Sequence, residues 1–310
     1  MDEPVSIQWF PGHMAKTRRL IADSLKLVDA VAEIIDARIP VSSRNPELAG
    51  IVAQKPRLIL MNKADAADPA ATKAWLAAYQ DEGIPALAVD CRSGRGLSGF
   101  LPLVRGLLRP RLEQLAAKGM AGRPLRIMVV GIPNAGKSSF INRMAGASRA
   151  KVADRPGVTR GNQWISAGKG VELLDTAGVL WPKFDDPLVG ERLAFTGAVK
   201  DVVMDVELLA ARLLVLLAEQ YPSSLLARYK VDVATLAVES ATGRVDSDAA
   251  GSTSERAVPD GALLLEAIGR RRGMLLPGGL IDTERAAVMV LDEFRGGLLG
   301  RFTLELPEGR

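Results

Sequence analysis

At 310 residues, 48% of them hydrophobic, the chain is long enough for two domains with real cores, which excludes an overall disordered protein. Forty basic against thirty-six acidic residues leave a formal charge of only +4, so nucleic acid can be held by local patches but not by a global field. The single cysteine, Cys91, excludes an intrachain disulfide framework, argues against a cysteine metal cluster and suits a reducing cytoplasm.

Met1-Asp2-Glu3-Pro4 lacks the basic and apolar blocks of a signal peptide, and its acidic start argues against a transit peptide. Gln8-Trp9-Phe10-Pro11-Gly12-His13-Met14 leads into a basic helix carrying Lys16, Arg18, Arg19 and Lys26, with Trp9 and Phe10 read first as anchors of the chain end. Val28 to Ile35 reads as the first strand. It ends at Asp36-Ala37-Arg38-Ile39-Pro40, and Asn45-Pro46 is a cap-then-proline start for a short helix. A second strand, Arg57 to Met61, runs into Asn62-Lys63-Ala64-Asp65, and a helix is expected from Pro69 to Gln80. Ala86 to Val89 is a third strand, followed by Asp90-Cys91-Arg92-Ser93-Gly94 and a helix from Leu97 to Leu108. Strand and helix alternating at this length imply parallel βαβ units, whose ligand edge lies at the carboxyl ends of the strands.

The basic stretch from Arg105 to Arg126 is either a solvated helix or an RNA-facing one, and the solvated reading is favoured. Leu125 to Val130 then reads as a buried strand entering Gly131-Ile132-Pro133-Asn134-Ala135-Gly136-Lys137-Ser138-Ser139, and a helix is expected over 137–146. Arg155-Pro156-Gly157-Val158-Thr159-Arg160 is too rich in turn formers to be an element. Strands over 162–167 and 170–174 flank the turn Gly168-Lys169-Gly170 and deliver Asp175-Thr176-Ala177-Gly178. Beyond Pro182 the pattern predicts helices over 188–199, 202–219, 223–229, 260–272 and 282–295, with a mobile loop at Glu239 to Pro259. The most apolar of these, Leu208 to Ala218, is interrupted by Arg212 and shorter than the roughly 20 residues that span a bilayer, so no membrane association is expected. Arg270, Arg271, Arg272, Arg285 and Arg295 form a candidate RNA-contacting surface, which plain solvation explains almost as well.

Four of these loops carry chemistry. In Gly131 to Ser139 the glycines let successive N–H groups and a helix N-terminus face a polyphosphate, while Lys137 reaches the β/γ-phosphates and Ser138 coordinates Mg²⁺. Asn134, Ala135, Gly136 and Ser139 complete that cradle. Asp65 can accept hydrogen bonds from the ring N–H and exocyclic amine of guanine, an arrangement adenine lacks, while Asn62, Lys63 and Ala64 tie the base to the loop. Asp175 supplies a carboxylate near Mg²⁺, Gly178 a backbone N–H for the γ-phosphate, and Thr159 can close over phosphate and metal. Together they define a guanine-nucleotide site for GTP and GDP.

These motifs resemble those of the translation-factor-type GTPases in the wrong order, because Asn62 to Asp65 precedes the phosphate loop. That is a circular permutation. The fold expected is α/β, a P-loop GTPase domain with a mostly parallel sheet and flanking helices over residues 1–184, plus a small α-helical, RNA-binding domain over 185–310. The permuted order, the Gln8 to Met14 opening, Pro156-Gly157-Val158-Thr159 and the Gly278-Gly279 to Leu304 region resemble the ribosome biogenesis GTPase A (YlqF) family. The resemblance implies a cytoplasmic GTPase whose hydrolysis is coupled to late assembly of the large ribosomal subunit or its precursor. It further implies contact with ribosomal RNA, no DNA, and a monomer off the ribosome.

Ordinary GTPases place a water-orienting glutamine after the Asp-x-x-Gly motif, where this chain has Val179. His13 is the catalytic candidate, because the histidine of this segment is the proposed replacement in the resembled family and an imidazole can orient or deprotonate water. An exposed loop histidine, or one bonded to RNA, is the competing reading. Asn134 is expected to help bind K⁺, as in related GTPases, with a turn-forming asparagine as the alternative. Asp90 and Cys91 stand where many GTPases have Ser-Ala-Lys, so only backbone contact with the base carries over. Three rivals stand beside the GTPase reading: a non-hydrolysing, GTP-switched RNA-binding scaffold, an ATP-dependent kinase and a membrane-trafficking GTPase. Val179 favours the scaffold, Asp65 disfavours the kinase, and the trafficking enzyme would need an anchor that is not evident.

Overall fold

In a computed structural model the described residues are 14–146, 164–168, 170–176, 178, 180, 184, 186–199, 205–242 and 258–307. His13, Thr159 and Val179 therefore lie outside the described residues, as do Ala177 and the segment 243–257. The chain forms two compact units, one of residues 1–193 with 303–310 and the other of residues 194–302. Position 184, where the sequence suggests a boundary, falls inside the first unit, to which the C-terminal residues also return.

Among the described residues the first unit is built on six strands: β1 (Ala30–Asp36), β2 (Arg57–Asn62), β3 (Ala86–Ala88), β4 (Leu125–Val130), β5 (Trp164–Gly168) and β6 (Val171–Asp175). They lie in the order β3-β2-β1-β4-β6-β5, all parallel to their neighbours except β5, which runs antiparallel to β6. This is the mostly parallel sheet that the alternating pattern predicts. Every residue of β1 is buried, as expected for a central strand covered on both faces. Its Val31 packs with Ile21 of α1 (Met14–Leu25) and with Leu48 and Val52 of α2 (Pro46–Val52). Four residues on, Ile35 packs with Trp75 and Tyr79 of α3 (Pro69–Asp81). Chain direction across the sheet reverses between β1 and β4, so the topological switch point, where such sheets bind ligands, lies at their carboxyl ends.

Local chemistry sets the helix starts. The Asn45 side chain accepts from the N–H groups of Glu47 and Leu48, and Asp68 accepts from those of Ala70 and Ala71, each followed by a proline that has no N–H to lose. The helix expected over Leu97 to Leu108 is instead a 3₁₀ turn, Leu97–Gly99, followed by α4 (Phe100–Leu107), and the chain breaks at Leu108 before α5 (Arg109–Ala117) opens with Pro110 in its first turn. Part of the basic stretch serves the fold. Arg111 pairs with Asp29 at 3.1 Å, and Arg126 pairs with Glu172 at 3.1 Å while lying over the Trp164 ring. Phe100 of α4 meets Phe140 of α6 (Lys137–Ala145) edge-on at 4.9 Å, and α7 (Pro187–Phe195) closes the first unit's run of elements.

The second unit is helical: α8 (Val206–Gln220), α9 (Pro222–Tyr229), α10 (Val233–Thr242), α11 (Gly261–Arg271) and α12 (Thr283–Gly296). Its core sets Leu209, Leu213, Leu214 and Leu217 of α8 against α11 and α12. The loop expected from Glu239 needs correction, because α10 runs to Thr242; Asp232 caps it by accepting from Ala234 N–H at 3.0 Å. Among the arginines grouped as an RNA surface, Arg295 donates to the carbonyls of Phe195 and Ala194, and Arg272 lies over the Tyr229 ring beside Glu293. Those two make packing contacts, although Arg272 is exposed as are Arg270, Arg271 and Arg285. No helix among the described residues is long and apolar enough to cross a membrane.

Candidate nucleotide site

The phosphate loop leaves β4 at Gly131 and enters α6 at Lys137. Gly136 stands at the N-cap of α6 with φ +104° and supplies no side-chain cap, so the first N–H groups of the helix have no side-chain acceptor there. A Cβ on Gly136 would sit 2.1 Å from Asn62 Nδ2, which only glycine avoids. The Lys137 ammonium is buried and donates to the carbonyls of Gly131 at 3.1 Å and Ile132 at 2.7 Å. Burial pushes its pKa down to about 8, with Asp175 opposing the shift, and burial raises Asp175 in turn against the pull of Lys137. A buried cation beside uncapped helix N–H groups suits a polyanionic ligand. Ser138 and Ser139 are exposed at the mouth of this loop, as is Asn134, whose φ is +57°.

Asp175 ends β6, and Thr176 Oγ1 donates to the Val129 carbonyl at 2.6 Å, fixing the Asp-x-x-Gly segment to the phosphate-loop strand. Gly178 lies against that loop: a Cβ there would come 2.7 Å from Lys137 Nζ and 2.9 Å from Pro133 N. Ser138 and Asp175 are hard oxygen donors of the type Mg²⁺ takes. No cluster of three or more His, Cys, Asp or Glu residues forms a separate metal centre among the described residues.

Asn62 is the joint of the site. Its Nδ2 donates to the Ala135 carbonyl of the phosphate loop at 2.7 Å, and its Oδ1 accepts from Cys91 N–H at 3.0 Å. One side chain thus fixes three loops that are far apart in sequence. Ala64 N–H donates to the Val89 carbonyl at 3.1 Å, which sets the loop beside β3. Asp65 stays partly exposed, with Arg92 Nη2 3.8 Å from its Oδ2. Asp90 accepts from the N–H groups of Arg92 and Ser93, rigidifying the following turn, while burial and Asp90 push the Cys91 thiol up to about 12 and leave its backbone as the useful group.

Two contributors escape sequence reasoning. Asp36 Oδ2 lies 3.0 Å from Lys63 Nζ, holding the lysine of the base loop, and Lys63 itself has φ +60°. Arg38 grips the same carboxylate through Nε at 2.9 Å and Nη2 at 2.8 Å. Burial disfavours the Asp36 charge, yet Arg38 and Lys63 outweigh it and hold the carboxyl well below the usual range. An acidic residue closing an apolar strand is the signal that marked Asp36. Its partner, twenty-seven residues on, has no local signature.

Comparison with known proteins places these loops. The chain is 43% identical over 303 residues, 97% of its own length and 94% of the other, to the ribosome biogenesis GTPase A of Bacillus cereus. The chain belongs to the ribosome biogenesis GTPase A family. A family model described as 50S ribosome-binding GTPase matches residues 126–238, so it opens at β4 and leaves Asn62 to Asp65 ahead of it, as the permuted motif order requires. Two solved members of the ribosome biogenesis GTPase A family, titled as YlqF, share the architecture at 26% identity over 94% of this chain. The GDP-bound structure has a TM-score of 0.61 with 100% of that chain covered, and the GNP-bound structure from T. maritima 0.60 with 99% covered. The chain is accordingly a ribosome-biogenesis GTPase that binds guanine nucleotide.

Proposed function

We propose that the protein binds the assembling large ribosomal subunit and hydrolyses GTP to drive or check a late maturation step. The observation that supports the nucleotide half of this reading is the Asn62 joint, whose bonds to Ala135 and Cys91 would let one guanine nucleotide span both loops, while the likeness to ribosome biogenesis GTPases supports the ribosomal half. Asp65 selects guanine, Asn62 to Ala64 frame the base, and Asp90 and Cys91 contribute through their backbone. Asn134 to Ser139 cradle the phosphates, Lys137 neutralises β/γ oxygens, and Gly178 donates its N–H to the γ-phosphate. Ser138 and Asp175, with Thr159, would hold Mg²⁺, which when bound offsets charge on the phosphate oxygens.

Val179 can neither donate nor accept through its side chain, so it cannot align the attacking water. His13 takes that role, turning an imidazole nitrogen toward the water and receiving or relaying its proton. Asn134, exposed at the mouth of the phosphate loop, helps hold K⁺ there, where the positive charge serves the purpose of an arginine finger. The helical domain contacts ribosomal RNA through exposed arginines such as Arg270, Arg271 and Arg285, and the protein works as a cytoplasmic monomer between ribosomal encounters.

The second reading, a non-hydrolysing scaffold in which GTP only sets conformation, is favoured by Val179 alone. Single-turnover hydrolysis with immature and assembled large subunits separates the two. The expected outcome is turnover accelerated by the particles, and faster in K⁺ than in Na⁺. Absence of turnover with every particle leaves the scaffold, and equal rates in the two salts remove the K⁺ assignment from Asn134.

A further inference from the structure

Residues 303–305 lie 235 or more residues from the base loop in sequence, yet they are buried in the first unit with it. Thr303 is 1% exposed, and its hydroxyl does two jobs: it donates to the Ala37 carbonyl at 3.2 Å and accepts from Asp68 N–H at 3.2 Å. Those two groups flank Asn62 to Asp65. Ala37 N–H donates to the Asn62 carbonyl at 2.8 Å, and Asp68 is the N-cap of α3, three residues past Asp65. Leu304 N–H donates to the carbonyl of Arg38, whose guanidinium shares the Asp36 carboxylate with Lys63. The Glu305 carboxylate accepts from Val41 N–H, from Ser42 N–H and Oγ, and from Arg192, while its carbonyl accepts from Trp75 Nε1 of α3 at 2.8 Å.

A tail that merely sealed a core would do so with apolar contacts. Here the Thr303 hydroxyl is aimed at backbone on both sides of the guanine-reading loop, the Leu304 amide at Arg38 and the Glu305 carboxylate at Val41 and Ser42, and a buried polar group whose partner is removed is left with an uncompensated desolvation penalty. We infer that the C-terminal segment 303–305 is a positioning element of the guanine site. It holds Asn62-Lys63-Ala64-Asp65 where Asp65 meets the base. The inference rests on the guanine-site reading above. The chain leaves the helical unit immediately before Thr303.

The test uses the full-length chain, with GDP and IDP as probes, because inosine lacks the exocyclic amine that one of the Asp65 bonds requires. Thr303→Val keeps the shape and removes both hydroxyl bonds, and Thr303→Ser restores them. GDP affinity is expected to fall about fivefold in the valine variant, with the preference for GDP over IDP shrinking in proportion and returning with serine. General loosening would weaken both nucleotides equally. Unchanged binding, or equal losses for GDP and IDP, overturns the inference while leaving the guanine site intact. A wild-type chain that shows no preference for GDP overturns the site reading itself, and the inference with it. Should Thr303→Val fail to fold, Thr303→Ala, which removes the same two bonds, carries the same expectation, and an unchanged preference there is equally fatal.

Discussion

Asp65→Asn is expected to lower GDP affinity by about a hundredfold or more and to make XDP the better ligand. The argument is one of donors and acceptors. The Asp65 carboxylate only accepts, matching the ring N–H and exocyclic amine of guanine. An amide in its place sets its own N–H₂ against that amine and leaves buried donors unpaired. Xanthine carries a carbonyl where guanine has the amine, so the same amide then finds an acceptor. Asp65 is partly exposed, and its recorded ion-pair partner is Arg92, itself 83% exposed, so the substitution costs the fold little. Competition between GDP and XDP for the wild-type chain and the variant gives the answer, and a variant that keeps its preference for GDP would show that another residue reads the base.

His13→Ala carries the second large effect. GTP affinity is expected to stay nearly intact, because every group assigned to binding lies in Asn62 to Asp65, Asp90 to Cys91, the phosphate loop, Thr159 or the Asp175 to Gly178 segment. Ribosome-stimulated turnover should fall by about 10² to 10³, the range for losing a positioned general base or its water-orienting contact. Lysine or arginine at position 13 should not restore it, since neither can accept the proton of a water at neutral pH. Equal ribosome-stimulated turnover in wild type and His13→Ala would remove His13 from the mechanism.

Much of the site was legible because its parts announce themselves locally. A glycine-rich turn between an apolar run and a helix, an Asn-Lys-x-Asp at a strand end and an Asp-x-x-Gly after another strand each need only a few neighbours to be read. The parallel sheet follows from strands and helices that alternate along the chain. What was not legible is what long-range pairing decides. Nothing in the local pattern ties Asp36 to Lys63, Asn62 to Ala135, or Thr303 to Ala37 and Asp68, although those contacts fix where the loops stand. Helix α10 is absent from the expected elements although Val233, Leu236 and Ala237 make an apolar stripe at helical spacing; the helix is short, and its last turn runs into a stretch rich in Ser, Gly and Asp that hides its end.

The Arg143 bond to the Arg92 carbonyl ties the turn after β3 to α6. Together with the Asn62 joint, it makes the two halves of the permuted domain interdependent, so on the proposed assignment base recognition and phosphate binding are expected to be lost together when either loop is displaced. The permutation alters which segment leaves the sheet edge for the second unit. In this chain it is the Asp-x-x-Gly segment and α7, so the loop proposed to meet the γ-phosphate is the one that leads into the helices.

If GTP binding and hydrolysis drive the proposed maturation step, nucleotide state should govern attachment to the assembling large ribosomal subunit. In co-sedimentation of the full-length chain with large-subunit particles, the protein is expected to pellet with the particles in a non-hydrolysable GTP analogue and to stay in the supernatant in GDP; equal partition in the two nucleotides, or no association in either, would rule the proposed function out.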